Sequence, residues 1–163
     1  MVDSIKLLDI TEQNAEEIAE HWAKEVHKNK RTTHYRNIKK EKLVVYAVDF
    51  YRNLRKLLVP EDRLEYTREY FQKYAKKCHE IGLPLQEAIY GLVLMRRQMW
   101  LYADFQAIFI DALEHNQAID SIMRIMLMMD YAVYEITSII WKPQSVDFLK
   151  HNLKTTKKVP GIR

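Results

Sequence analysis

Residues 74–100 read YAKKCHEIGLPLQEAIYGLVLMRRQMW and hold a helix end, a helix start and two candidate functional side chains. Gly82 closes an apolar-periodic run and suits the left-handed position that ends a helix. Pro84 suits the first turn of the next helix, where an N–H has no intrahelical partner to lose. His79 stands at that joint with Glu80 beside it. Further on, Arg96 falls among Leu92, Val93, Met99 and Trp100 on a helical wheel, a cation inside an apolar stripe.

Helical spacing extends outward from this stretch in both directions. A first helix is expected from Thr11, as N-cap, to about Lys28, with Ala15, Ile18, Ala19, Trp22 and Val26 on one face. A second runs from about Lys39 to Val59 on Leu43, Tyr46, Ala47, Phe50, Leu54, Leu57 and Leu58. Pro60, Glu61 and Asp62 open a third, which buries Leu64, Thr67, Phe71, Tyr74, Ala75, Cys78 and Ile81. The fourth starts at Pro84 and either breaks near Asp104 or runs on towards His115. The fifth spans about Gln117 to Trp141, its stripe Ile119, Ile122, Met123, Met126, Met129, Val133, Tyr134, Thr137 and Ile140. The expected architecture is all-α, one globin-like or bundle domain of five to six helices over residues 1–142. A short amphipathic segment and basic tail follow over 143–163.

Composition agrees. At 163 residues the chain is about one domain, with 48% hydrophobic and 29% charged residues, an ordinary globular balance. Three glycines, four prolines and the lack of alternating β-branched runs argue against sheets. One cysteine excludes a disulfide framework and a cysteine-based zinc site. The N-terminus MVDSIKLLDITEQ has no basic-then-apolar leader, and the richest window, Ile119–Trp141, is interrupted by Asp120, Arg124, Asp130 and Glu135. A cytoplasmic protein with no membrane association is the expectation.

The net charge of +4 draws on Lys24, Lys28, Lys30, Arg31, Arg36, Lys39, Lys40 and Lys42. This run straddles a helix end, a loop and a helix start rather than one face. It reads as solvated surface, not as a nucleic-acid site, with some affinity for acidic partners.

Two charges interrupt the apolar stripes. Arg96 does so on the fourth helix, and Asp130 falls between Met126, Leu127, Met129, Val133 and Tyr134 on the fifth. An unpaired buried charge costs several kcal/mol, so the simplest expectation is an Arg96–Asp130 pair across the helix interface. The structural reading is an ion pair that sets helix register. The functional reading is a ligand pocket in which Arg96 and Asp130 are joined by Trp100 and Tyr134 as walls.

Metal and hydrolytic chemistry fail on spacing. None of the six histidines has a glutamate three residues earlier, as a di-iron bundle needs. No phosphate-binding glycine loop, zincin helix or nucleophile elbow occurs. Neither catalytic residues nor a metal site is expected.

The run CHEIGLPLQEAI resembles the H-box of histidine kinases. That resemblance implies His79 as phosphoacceptor, Glu80 as base and Pro84 as a helix kink. Gly82 and Leu83 depart from the pattern, which has an arginine and a small polar residue there. With no ATP-binding domain visible downstream, the chain could serve only as a phosphotransfer partner.

A second resemblance covers most of the chain. Trp22 in IAEHWAKEV, the Gly82-Leu83-Pro84-Leu85 step, Arg96 or Arg97 and Trp100 are similar to the marks of the RsbRD N-terminal family. These are helical, non-haem, globin-like input modules of bacterial stress regulators. The resemblance implies a non-enzymatic signal-transduction sensor domain. It would act as a homodimer, through a protein effector or signalling partner or a small-molecule ligand. No effector sequence is visible after Trp141, so the chain reads as a free-standing or isolated input module. The globin connection raises haem as an alternative, but Cys78 holds the place where a proximal histidine is expected. His79 stands one residue nearer the glycine, which turns its ring about 100° around the helix. No cofactor is therefore expected.

Overall fold

The computed structural model describes residues 6–58, 64–105 and 112–155. Its elements in chain order are α1 (Lys6–Gln13), α2 (Ala15–Lys28), a 3-10 turn (Thr33–Asn37), α3 (Lys40–Leu58), α4 (Leu64–Glu80), α5 (Leu85–Phe105) and α6 (Ala112–Thr155). The protein is an all-α domain of six helices, without strands among the described residues.

The first expected helix is two. Thr11 does not cap α2: it is buried inside α1, and its hydroxyl donates to the Leu7 carbonyl at 2.7 Å. The chain bends at Asn14, whose side-chain amide donates to the Ile10 carbonyl at 2.8 Å. A threonine hydroxyl that bonds back four residues has no need of a cap position. Leu7 and Leu8, outside the expected helix, are core residues.

Helix α4 ends as the glycine implied. The Leu83 N–H donates to the Cys78 carbonyl at 2.9 Å and the Gly82 N–H to the His79 carbonyl at 3.0 Å. With Gly82 at φ 74, this is a Schellman close, and both Leu83 and Cys78 are buried. Pro84 then supplies the first carbonyl of α5, accepting from Ala88 N–H at 3.0 Å. Pro84 therefore opens a new helix and does not kink a continuing one. Helix α5 is described as far as Phe105, and the choice between a break near Asp104 and continuation towards His115 falls on residues outside the described ones.

Helix α6 differs most from expectation. Its backbone runs from Ala112 through Pro143 to Thr155, across the boundary expected at 142. The side chains expected to make the segment after Pro143 amphipathic lie outside the described residues. The buried face of α6 is Ser121, Ile125, Met128, Met129, Ala132, Glu135 and Ile136. Ile119, Met123, Met126, Leu127 and Tyr134 are exposed. Because α6 is apolar nearly all round, periodicity does not select the face that packs.

Helix α2 is the central element and packs on α3 and α5, while α4 packs mainly on α6. Ala15, Ala19 and Ala23, none of them exposed, allow α2 to lie close to its neighbours. Across α2 and α5, the Trp22 indole N–H donates to the Gly91 carbonyl at 2.9 Å. Surface ion pairs Arg55 with Asp9 and Glu12, Arg52 with Glu16, and Lys40 with Glu20 bind α3 to α1 and α2. Such pairs each contribute about 0–1 kcal/mol, so the apolar contacts carry the fold.

Helices α3 and α4 are not among the closely packed pairs. Long side chains bridge them instead. The Tyr70 hydroxyl donates to Asp49 at 2.9 Å, the Tyr66 hydroxyl to Asn53 at 3.1 Å, and the Lys77 ammonium lies 5.8 Å from the Tyr46 ring centroid. The gap they span leads to the candidate site.

Candidate functional site

A cavity of about 430 Å³ lies between α3 and α4, with Trp22 of α2 and Met95 of α5 contributing to its walls. Leu43, Tyr74, Cys78 and Leu83 make much of its lining, and Val45, Asp49, Lys73 and Lys77 also border it. Small-molecule pockets span about 300–1,000 Å³ and are mostly apolar with few polar groups, which this cavity matches.

Tyr35, which precedes α3, is the most constrained residue of the wall. The 3-10 turn carrying it is tied to α2 by the Thr32 hydroxyl on the Val26 carbonyl at 2.7 Å. The His27 ring meets the Ile38 carbonyl at 3.0 Å. The ring of Tyr35 stands edge-on to Trp22, with centroids 5.8 Å apart. Its hydroxyl lies over Gly91 of α5, where a Cβ would come within 2.9 Å of the Tyr35 Cζ and closer still to its oxygen. Gly91 is thus required for space rather than for backbone conformation.

Glu87 holds the same turn from the other side. Only 5% exposed, its carboxylate accepts from the His34 N–H at 2.9 Å and meets the His34 Nδ1 at 2.7 Å. The Thr33 hydroxyl donates to it at 3.3 Å. Glu87 is also in the first turn of α5, where a carboxylate is favoured by the helix dipole. Sequence reading passes over it, since nothing in the chain ties residue 87 to residue 34.

The polar atoms of the cavity wall are mostly engaged. The Tyr74 hydroxyl donates to the Ala88 carbonyl at 3.2 Å. Burial pushes the Cys78 thiol up to about 11, so it is protonated at neutral pH. Burial also raises the Tyr35 hydroxyl well above its ordinary value. The Tyr35 hydroxyl alone, among buried side-chain polar atoms of the described residues, has no hydrogen-bond partner.

The residues expected to form a pocket are separated. Arg96 and Trp100 line a second cavity of about 370 Å³, with Leu7, Arg97, Met99, Ile122, Ile125 and Met126. Asp130 is exposed and Tyr134 is 66% exposed, and neither lines that cavity. No ion pair joins Arg96 to Asp130, because α6 turns its other face inward. The buried carboxylate of α6 is Glu135, 4% exposed, which accepts from Arg68 Nε of α4 at 3.2 Å. The stripe containing Asp130 is not the buried face of α6, and the interface carboxylate lies five residues further on.

His79 and Glu80 are exposed on the last turn of α4. Cys78, one position earlier, faces the cavity. No histidine is among the residues lining the cavity. Among the described residues no group of three or more histidine, cysteine or acidic side chains is arranged to hold a metal ion. No helix among them is long and apolar enough to cross a membrane.

The basic run from Lys24 to Lys42 is partly engaged locally. Arg36 Nε donates to the His27 carbonyl at 3.1 Å, Arg31 lies 5.9 Å from the Tyr90 ring centroid, and Lys40 pairs with Glu20. Compared with family models, curated proteins and solved structures, the chain matches none. The fold and the site define an all-helical domain built around an apolar cavity.

Proposed function

We propose that the protein is a non-enzymatic input domain of a bacterial signalling regulator, in which occupancy of the α3–α4 cavity is communicated through α4 to α6. The observation that carries this reading is the cavity itself, an apolar space between two helices joined mainly by long side chains. A ligand there would press on α4 without first breaking a packed interface. Helix α4 is in turn fixed to α6 by packing and by the Arg68–Glu135 pair. A shift of α4 therefore reaches α6.

The exposed face of α6 suits the output. Ile119, Met123, Met126, Asp130, Val133 and Thr137 follow one another at alternating steps of four and three residues, flanked by exposed Leu127 and Tyr134. That spacing is the seam of a helix that packs on another helix. Apolar side chains repeated along one outward face favour contact with a partner. A second copy of the chain is the occupant we favour, with an effector protein downstream.

The test is native mass spectrometry and thermal unfolding of the purified chain beside a Val45→Trp variant, which narrows the mouth of the cavity. A bound small molecule, or compounds that raise Tm in the parent and not in the variant, is the expected result. A parent that carries no ligand and shows no Tm response across an apolar compound library would overturn the reading.

A further inference from the structure

We propose that the α3–α4 cavity takes a compact aromatic monoanion, a carboxylate in the simplest case, with its rings between the two helices and its charge at the mouth beside Lys73 and Lys77. This ligand class rests on the reading of the cavity as a ligand site and adds the chemistry that selects among apolar molecules.

The polar groups of the wall divide into those already committed and those a ligand can meet. The Tyr35 hydroxyl is buried against Gly91 of α5, which does not line the cavity. The Trp22 indole N–H donates to the Gly91 carbonyl, and the Tyr74 hydroxyl to the Ala88 carbonyl. Cys78 is 3% exposed. Asp49 is engaged on both oxygens, Oδ2 by the Tyr70 hydroxyl at 2.9 Å and Oδ1 by the Asn53 side-chain amide at 3.2 Å. The ammonium groups of Lys73 and Lys77 and the hydroxyl of Tyr46 remain, none with a hydrogen bond or ion pair among the described residues. All three can donate, and two are cations with no acceptor to offer. Their complement is an acceptor that carries negative charge.

The two lysines are placed for this. Four residues apart on α4, they lie one above the other on the same face. Both line the cavity and both are exposed, so a ligand meets them without opening a wall. The Lys77 ammonium, 5.8 Å from the ring centroid of Tyr46 on α3, reaches across the mouth. Two cations beside the one carboxylate of Asp49 leave the described lining net positive. Deeper in, Trp22, Tyr70 and Tyr74 supply aromatic walls. Flat rings gain against such walls beyond the area they bury, through stacked and edge-on contacts. One charged end on an otherwise apolar body fits a pocket with few polar groups.

The test compares 2-naphthoate with its neutral isostere 2-naphthamide. Affinities for the full chain are measured by titration calorimetry at neutral pH, in the parent and in Lys73→Met/Lys77→Met, which keeps the apolar stems. The naphthoate-to-naphthamide affinity ratio should fall about threefold to tenfold in the double variant, the effect of two exposed charge pairs. An unchanged ratio, with both probes still bound, overturns the anion assignment and leaves the cavity a ligand site. Octanoate, an alkyl acid of similar apolarity, should bind the parent more weakly than naphthoate; equal or tighter binding overturns the aromatic assignment. Val45→Trp at the mouth should weaken both naphthalene probes. Unaltered affinities in that variant would place them elsewhere and end the proposal. If no probe binds while other apolar compounds raise Tm in the parent and not in Val45→Trp, this ligand class is wrong and the cavity is still a ligand site. Absence of binding together with absence of any such Tm response ends both.

Discussion

The hydroxyl of Tyr35 rests on the bare Cα of Gly91, and the two residues fix each other's identity. No side chain fits at 91 while a tyrosine ring fills position 35. Gly91→Ala should therefore destabilise the fold by about 1–3 kcal/mol, the usual cost of overpacking. Tyr35→Phe by itself removes an unpartnered buried hydroxyl and should be neutral or mildly stabilising. The double variant should recover part of the alanine cost, though the ring Cζ remains 2.9 Å from the new Cβ. Urea unfolding of the three variants checks the cycle, and strict additivity would disprove the contact.

Glu87 organises the turn that carries Tyr35. Glu87→Ala leaves the His34 N–H without its acceptor and should cost about 1–3 kcal/mol. Glu87→Gln keeps one carbonyl acceptor and should cost less. Hydrogen exchange at residues 33–37 is the local readout, with faster exchange expected in the alanine variant.

Stability should fall at alkaline pH. Cys78 has an ordinary value of 9.0 and is pushed up to about 11 by burial. Burial likewise holds Tyr51 well above its ordinary 10.0. Both groups are neutral when protonated, and both ionise more readily in the unfolded chain. Their contribution is complete below the unfolded values and is lost as pH rises, at about 1.4 kcal/mol per pH unit for each. The Cys78 loss levels off above about 11, and Tyr51 continues it. Urea midpoints measured from pH 7 to 11 should decline above 9, less steeply in Cys78→Ala than in the parent.

Asp130 and Arg96 should behave as independent residues. Asp130→Ala changes an exposed side chain and should lie within about 0.5 kcal/mol of the parent. Its effect should add to that of Arg96→Met, because no ion pair couples them. A coupling above about 1 kcal/mol in thermal or chemical unfolding would contradict the observed orientation of α6.

Charge on the outer face of α6 should act on association and spare the fold. Met123→Glu and Leu127→Glu replace side chains that are 63% and 72% exposed. Light scattering after size exclusion should show a dimer for the parent and a monomer for the double variant, with helical circular dichroism unchanged. Equal masses for the two proteins would remove this face as the dimer contact.

Much of this protein is legible in the chain. Periodicity at three and four residues marks the helices through Leu43–Leu54 and Thr67–Cys78, because one apolar face per helix must be buried wherever it packs. Gly82 and Pro84 mark the joint between α4 and α5, because backbone chemistry is local and needs no neighbours. Cys78 reads as a buried thiol for the same reason that it is one: it shares the stripe of Phe71 and Ala75. The split of the first helix at Asn14 was hidden, since Thr11 has the composition of a cap and the position of a core residue.

The site required the tertiary structure. On α6, apolar residues occupy both faces, so sequence could not decide between the stripe of Met123 and Asp130 and the one of Ile125 and Glu135. That choice depends on which face α4 and α5 cover. The contacts of Tyr35 with Gly91 and of Glu87 with His34 join segments 56 and 53 residues apart. No local pattern records such distances. The chain by itself determined that the fold is helical and where α4 gives way to α5, through periodicity and the Gly82–Pro84 joint. Only the packed structure decided that α3 and α4 stand apart around a cavity, because a cavity is what neighbouring helices leave unfilled.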